Sequence, residues 1–311
     1  MSVAREYPLS PGMAAFVART RAFATAEPSL AAQRAAYSRM AAAFTPPRPP
    51  GLRVSDLALA GLPPLRLFRP AGTAPASGWA ALLFLHGGGW MLGDLDSHAF
   101  FCAELAARLG LLVVAADYRL APEHPFPAAL QDSLAAWRAL RDGTLGEPID
   151  RTRLAVAGDS AGGNLAAALC LALRDAGEAQ PRAQALVYPA LGDEATASRI
   201  ACADAPLLSA ADMQACLDAY LPEPLQRHRP LALPLRAHDF AGLAPAFIGV
   251  AEFDPLRDDG LRYAERLRRD GVEVDCFPGP GLVHGCLRAR ELAEVDRLYE
   301  ALFESLARCL D

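Results

Sequence analysis

The six residues Gly158-Asp159-Ser160-Ala161-Gly162-Gly163 constrain this chain more than any other stretch of it. They stand directly after an apolar run, Arg153 to Ala157, and directly before a segment of helical spacing that starts near Asn164. A strand that must turn at once into a helix leaves no room for side chains around the turn, so glycines flank the residue at its apex. That residue, Ser160, is held in a strained backbone with its hydroxyl exposed above the sheet. The helix N-terminus behind it adds the positive end of a dipole where negative charge would develop. The turn makes Ser160 a candidate nucleophile.

The patterns on either side fit such a turn. Apolar runs at Ala80 to Leu85, Leu111 to Ala116, Leu154 to Ala157, Ala185 to Tyr188, Ala246 to Ala251 and Val272 to Phe277 read as short strands. Between and after them, Ser97 to Leu109, Ala128 to Arg141, Asn164 to Arg174, Leu256 to Arg269 and Glu291 to Leu310 read as helices. Unbroken apolar strands alternating with helices predict an α/β fold with a mostly parallel sheet covered by helices on both faces. Two segments break the alternation. Residues 12 to 44 have roughly helical spacing and end in the breakers Pro46, Pro47, Pro49, Pro50 and Gly51, and residues 192 to 240 contain prolines and helical patterns but no convincing strand.

Composition excludes several function classes. The 311 residues are 52% apolar, enough for one large core, and the net charge of -6 is scattered, which gives no electrostatic motive for nucleic acid or an anionic membrane. All 30 basic residues are arginine, so chemistry that needs a lysine amine is closed to this chain alone. Seven cysteines, odd in number and never spaced C-x-x-C, suit neither a disulfide framework nor a zinc site, and most are expected as small buried hydrophobes. H-E-x-x-H is absent, and residues 279 to 285 miss G-x-G-x-x-G because His284 stands where the last glycine would be. No metal and no cofactor are expected. The first residues lack the pattern of a secretory signal and no apolar run reaches membrane-spanning length, so the expectation is a cytoplasmic protein with no membrane contact.

A serine hydroxyl needs a base, and the base needs an acid to hold it. With Ser160 on a strand-to-helix turn, the expected order along the chain is serine, acid, histidine. Asp254 follows the run Ala246 to Ala251, and His284 follows Val272 to Phe277 in the loop Gly279-Pro280-Gly281-Leu282-Val283-His284-Gly285. Both lie past the carboxyl ends of their strands, where open α/β sheets place their sites. Glu252 and Asp258 compete with Asp254; the first falls near the strand and the second in a helical first turn. His86, His98, His124, His228 and His238 have a poorer order or a structural setting. A second motif, His86-Gly87-Gly88-Gly89-Trp90, follows the strand Ala80 to Leu85, and its bare backbone can bring N–H groups to a developing oxyanion. Asp159 reads as scaffolding and His86 as a brace of its loop.

With these pieces assembled, the chain resembles the hormone-sensitive-lipase-like bacterial esterases, a branch of the α/β-hydrolases. The resemblance runs through HGGGW at 86 to 90, DYRLAPEHPFPAALQD at 117 to 132, GDSAGG at 158 to 163, LVYPAL at 186 to 191, AEFDPLRDDG at 251 to 260 and VHG at 283 to 285. It implies Ser160, Asp254 and His284 as the triad, and the N–H groups of Gly88, Gly89 and Ala161 as the oxyanion hole, with Gly87 a weaker candidate. The GDSAG form resembles one of the family's two main branches. Cys286 replaces the phenylalanine usual after His-Gly, which bears on local packing. Arg119, Glu123 and Asp132 in the 117 to 132 stretch look like an internal brace.

The resemblance also implies a helical cap, so the expected organisation is N-terminal cap helices at 1 to 50, α/β-hydrolase core at 51 to 191, a cap insertion at 192 to 240, and the rest of the core at 241 to 311. The expected activity is hydrolysis of short to medium acyl esters through an acyl-enzyme. The alternatives are an amidase or formamidase with the same triad, and a non-catalytic small-molecule receptor. The expected partner is a small-molecule ester, and the family analogy allows a homodimer.

Overall fold

The computed structural model describes residues 6–311; the first five residues of the expected N-terminal cap segment lie outside it. Eight strands form one sheet: β1 (Arg53–Leu57), β2 (Leu65–Arg69), β3 (Trp79–Leu85), β4 (Leu112–Ala116), β5 (Ile149–Asp159), β6 (Ala183–Val187), β7 (Ala246–Gly249) and β8 (Val274–Phe277). Their order is β1-β2-β4-β3-β5-β6-β7-β8. From β4 to β8 every pairing is parallel, with Leu82 facing Val113 on one side and Ala155 on the other, while β1 and β2 add an antiparallel edge.

The central strands are buried on both faces because helices cover both. Along β3, Leu83 and Leu85 enter one core with Val156, Leu186 and Ile248, and Leu82 and Phe84 enter the other with Val113, Ala155 and Phe247. The first face is covered by α4 (Ala128–Asp142), α5 (Ala161–Asp175) and α8 (Arg257–Arg269), and the second by α3 (Ala99–Leu109) and α9 (Ala293–Leu310). In α9 the buried residues Val295, Leu298, Tyr299, Leu302, Phe303 and Leu306 recur at three- and four-residue spacing, the stripe that docks a helix on a sheet.

Two strands escaped the sequence reading. β1 is RVSDL, exposed or half-exposed throughout, so it has no apolar run to betray it; β2 is short and precedes the first long run. Elsewhere the differences are at ends. α5 begins at Ala161, three residues before the helical spacing becomes visible, since its first turn is built from glycines.

Before the sheet come α1 (Pro11–Arg21) and α2 (Leu30–Ala43), each started by a serine, Ser10 or Ser29, whose side chain accepts a hydrogen bond from a first-turn N–H. Met13, Phe16 and Val17 of α1 pack into the second core. Residues 192 to 240 contain α6 (Ala197–Ala201), α7 (Ala210–Tyr220) and two short 3-10 helices, Pro224–His228 and Pro234–Arg236, with no strand among them. A reciprocal Ser209–Asp212 cap starts α7. Cys102, Cys170, Cys202 and Cys286 are buried, and Cys216, Cys276 and Cys309 are half-buried. No helix among the described residues is long and apolar enough to cross a membrane.

Candidate active site

Ser160 alone makes the turn between β5 and α5, at φ 53 and ψ −117. Such a conformation is costly for a residue with a side chain and persists only where its surroundings over-determine it. Here the Ser160 N–H donates to Val187 O at 2.8 Å, and its carbonyl accepts from Asn164 N at 3.1 Å and Ala190 N at 3.2 Å. The flanking glycines are sterically required. A Cβ on Gly158 would lie 2.3 Å from Gly162 O, and one on Gly162 would lie 1.9 Å from Leu85 O.

The loop after β8 brings His284 to this turn, with Nε2 at 2.9 Å from Ser160 Oγ and Nδ1 at 2.8 Å from Asp254 Oδ2. Asp254 is fully buried, and its other oxygen accepts from Leu256 N at 2.8 Å. With Nδ1–H given to the carboxylate, Nε2 is left as the acceptor for the serine proton. The acid and histidine loops are joined by a parallel bridge between Phe253 and Val283, by the Glu252 N–H, which donates to Gly279 O at 3.0 Å, and by Glu252 Oε2, which accepts from Gly281 N at 2.7 Å. Tyr188 lies against the imidazole, 4.6 Å between ring centres.

The competing acids are occupied elsewhere. Glu252 holds the histidine loop, and Asp258 accepts from Ser198 N at 2.8 Å on α6. Of the other histidines, His86 is buried with Nδ1 at 2.8 Å from Gly87 O and its ring stacked on Tyr118, and burial pulls its pKa down to about 4. His98 directly precedes α3 without a side-chain capping bond; it is also buried and its pKa also pulled down by burial, against the opposing pull of Asp159 3.4 Å away.

Gly88 and Gly89 adopt φ 128 and φ 59, and a Cβ on them would meet Leu92 O at 2.2 Å and Cys216 Sγ at 2.4 Å. No side chain but glycine's fits that loop. Ala161, the first residue of α5, has an N–H with no acceptor inside the helix. Gly87, the weaker oxyanion candidate, has its N–H engaged elsewhere, donating to Asp159 Oδ1 at 2.8 Å. Asp159 is therefore the brace of the glycine loop. Burial pushes its carboxyl pKa up, but His98, Arg288 and the Gly87 N–H outweigh burial and hold it below the usual value.

Ser160, His284, Gly88, Gly89 and Ala161 line one cavity of about 500 Å³. Phe16, Tyr37 and Met40 close it from the N-terminal helices, and Leu207, Met213 and Leu217 from the 192 to 240 segment. Two arginines, Arg288 in its lining and Arg34 outside it, had no signal in the sequence. Arg288, four positions after His284, donates to Ser97 O at 2.6 Å and to the Tyr37 hydroxyl at 3.2 Å. Arg34 of α2 donates to Met91 O at 2.9 Å and to Ala121 O at 3.2 Å, and both its terminal nitrogens bond Glu123, at 2.6 and 2.8 Å. Of the expected brace, Arg119 and Asp132 do join the two ends of the 117 to 132 stretch, with the Arg119 N–H and guanidinium donating to the Asp132 carboxylate, whereas Glu123 is exposed and fastens α2 instead.

A family model described as the alpha/beta hydrolase fold matches residues 82–288. The chain is 43% identical over 242 residues to the esterase LipI of Mycobacterium tuberculosis, which covers 76% of this chain and 75% of that one. It is 40% identical over 235 residues to the ethyl acetate hydrolase of Pseudomonas putida, covering 74% and 73%. Among solved structures, an esterase of Pyrobaculum calidifontis superposes with a TM-score of 0.88 at 32% identity, covering 97% of this chain and 99% of that one. A thermostable esterase of Pseudomonas putida gives a TM-score of 0.90 at 29% identity, over 99% of both chains. The sheet, the order of the motifs and these relatives agree: the chain belongs to the α/β-hydrolase family, among the hormone-sensitive-lipase-like esterases.

Proposed function

We propose that this protein hydrolyses short to medium acyl esters with Ser160 as nucleophile, His284 as general base and Asp254 as the acid that orients it. The observation that carries this reading is the unbroken relay Ser160 Oγ, His284 Nε2, His284 Nδ1, Asp254 Oδ2, with contacts of 2.9 and 2.8 Å. His284 takes the serine proton as Oγ attacks the ester carbonyl carbon. The carbonyl oxygen, now negative, is met by the N–H groups of Gly88, Gly89 and Ala161, and Asp254 stabilises the imidazolium. His284 then returns the proton to the departing alcohol, leaving Ser160 acylated. Water, deprotonated by the same histidine, releases the acid. Nothing in this cycle requires a metal or a cofactor.

The segments at 6 to 50 and 192 to 240 act as the cap. Their apolar side chains wall a cavity of about 500 Å³, which favours acyl chains only as long as each methylene has a wall to lie against. The seven thiols, with no disulfide among the described residues, suit a reducing compartment and support a cytoplasmic site of action. The ester-hydrolase relatives favour an ester over an amide.

The test is Ser160→Ala, assayed on p-nitrophenyl esters of two to sixteen carbons and on one matched ester and amide. The variant should fold normally, lose about 10⁴-fold or more of kcat, and resist a fluorophosphonate that labels the parent. Substantial ester turnover by the folded variant would overturn the assignment.

A further inference from the structure

One face of α7 lies along the glycine loop. Met213, Cys216, Leu217 and Tyr220 recur at three- and four-residue spacing and so share that face. Met213 and Leu217 wall the cavity, while Cys216 and Tyr220 reach the loop itself. A Cβ placed on Gly89 would lie 2.4 Å from Cys216 Sγ and 3.2 Å from Cys216 Cβ, which puts the thiol in van der Waals contact with the glycine's Cα. Four residues on, the Tyr220 ring stacks on Trp90 with 4.3 Å between centres. Two successive residues of the loop are thus met by two side chains one helical turn apart.

The loop needs such support. Gly88, Gly89 and Trp90 stand at φ 128, 59 and 60, three left-handed values in a row, and the last of them belongs to a residue with a bulky side chain. That conformation is costly for tryptophan and persists only where its surroundings over-determine it. From the core, Asp159 takes the Gly87 N–H and Ala121 N donates to Trp90 O at 2.8 Å. From the cap comes the stack, and Tyr220 is itself backed by Phe126, whose ring meets it edge-on at 5.8 Å and whose N–H donates to Tyr220 O at 2.9 Å. The Tyr220 hydroxyl has no partner among the described residues, so the ring makes the contact. The same φ angles set where the Gly88 and Gly89 N–H groups point.

We infer that Cys216 and Tyr220 are positioning residues for the oxyanion hole: the α7 face holds the Gly88-Gly89-Trp90 backbone in its left-handed form, so the cap aims the donors as well as enclosing the substrate. The inference rests on the ester-hydrolase reading with Gly88 and Gly89 as donors. Donors aimed at a developing charge act on the transition state more than on the bound ester, so loss of the support lowers kcat and leaves KM nearly unchanged.

Three variants test this. Tyr220→Leu removes the stack, Tyr220→Phe keeps it, and Cys216→Ala withdraws the thiol from Gly89 at a half-buried helical position that suits alanine. For each, kcat and KM are measured on p-nitrophenyl pentanoate, and Ki is measured for 1,1,1-trifluorohexan-2-one. Ser160 Oγ adds to the carbonyl carbon of that ketone, the serine proton passes to His284, and the carbonyl oxygen becomes an oxyanion for the same donors. In Tyr220→Leu, kcat should fall about tenfold or more with KM within about threefold, and Ki should rise by the factor that kcat falls. Cys216→Ala should move kcat and Ki in the same directions by about threefold or more, and Tyr220→Phe should recover the parent's values to within about twofold. If Tyr220→Leu does not fold, Cys216→Ala decides by the same two readouts. Values within about twofold of the parent in Cys216→Ala and in folded Tyr220→Leu would overturn the inference and leave the hydrolase reading standing. A rise in KM at unchanged kcat, a fall in kcat at unchanged Ki, or equal losses in Tyr220→Phe and Tyr220→Leu would overturn it too. A parent that turns over no ester would bring down the hydrolase reading and this inference together.

Discussion

The turn that carries Ser160 and the segments that roof it are held by opposite means. Around the serine the constraint is backbone against backbone: Gly158 and Gly162 have carbonyl oxygens where a Cβ would go, and Asp254 is held by main-chain and imidazole partners in full burial. The roof is fastened by side chains. Arg34 ties α2 to the carbonyls of Met91 and Ala121, and Tyr220 at the end of α7 stacks on Trp90, with ring centres 4.3 Å apart and planes parallel within 1°. Backbone packing cannot be altered without breaking the fold, whereas side-chain fastenings can be exchanged one at a time. Changes in the first region should therefore abolish activity and changes in the second should tune it.

The sharpest test lies inside the serine region. Asp254→Asn should lower kcat by about 10⁴-fold, because the imidazole loses the partner that fixes its tautomer and stabilises its charged form. Glu252→Gln, two residues away, should cost less than about tenfold, since a glutamine oxygen can still accept from Gly281 N and the histidine loop stays in place. Equal losses in matched kinetics would mean that the loop bond, and not the acid, governs the base.

A smaller effect is expected at the roof. Arg34→Ala removes the donors to Met91 O, two residues past Gly89, and to the carbonyl of Ala121, whose N–H bonds Trp90 O, so the Gly88-Gly89 loop and the oxyanion donors proposed on it lose part of their support. We expect kcat to fall about tenfold to a hundredfold with KM little changed, and Arg34→Lys to recover part of the loss. An unchanged kcat would show that the glycine loop is held without help from α2. A rise in KM without loss of kcat would assign Arg34 to substrate binding.

The two regions also differed in how far they could be read from the sequence. The serine region writes itself locally: a strained turn demands glycines within a few positions, and strand ends set where acid and base must appear, so Ser160, Asp254 and His284 are all legible as candidates in the sequence. The roof fastenings join residues far apart in the chain, 89 positions between Arg34 and Glu123 and 60 between Arg199 and Asp259, and such pairs leave no period or spacing behind. Asp159 lies between the two cases. Its place in the turn was plain, but that it would take the Gly87 N–H and so leave Gly88 and Gly89 as the candidate donors depends on how β3 meets β5. β1 stayed hidden because an exposed edge strand has no apolar face to show.

The last and smallest contrast is in acid. His86, behind the glycine loop, is buried, with one ring nitrogen engaged by Gly87 O and the other, Nε2, without an acceptor among the described residues, so a second proton would have nothing to bond to. Its pKa is pulled down to about 4, against about 6.5 for a free histidine. Between those values the unfolded chain binds a proton that the folded chain refuses, and stability therefore rises with pH across that window. On acidification the contribution is complete above about pH 6.5 and is lost progressively down to about pH 4. At the roof, Glu123 has the opposite partner: its bonds to Arg34 hold it down at about 2, so what that exposed pair adds is lost only in stronger acid. The core should thus weaken before the fastening does. Melting temperatures at pH 7, 5.5 and 4 should fall steadily for the parent. His86→Gln should start lower, having lost the stack on Tyr118, but decline less over the same interval, with His98, also depressed by burial, supplying the remaining slope. If parent and variant lose the same number of degrees between pH 7 and 4, the acid sensitivity of the core arises elsewhere than at His86.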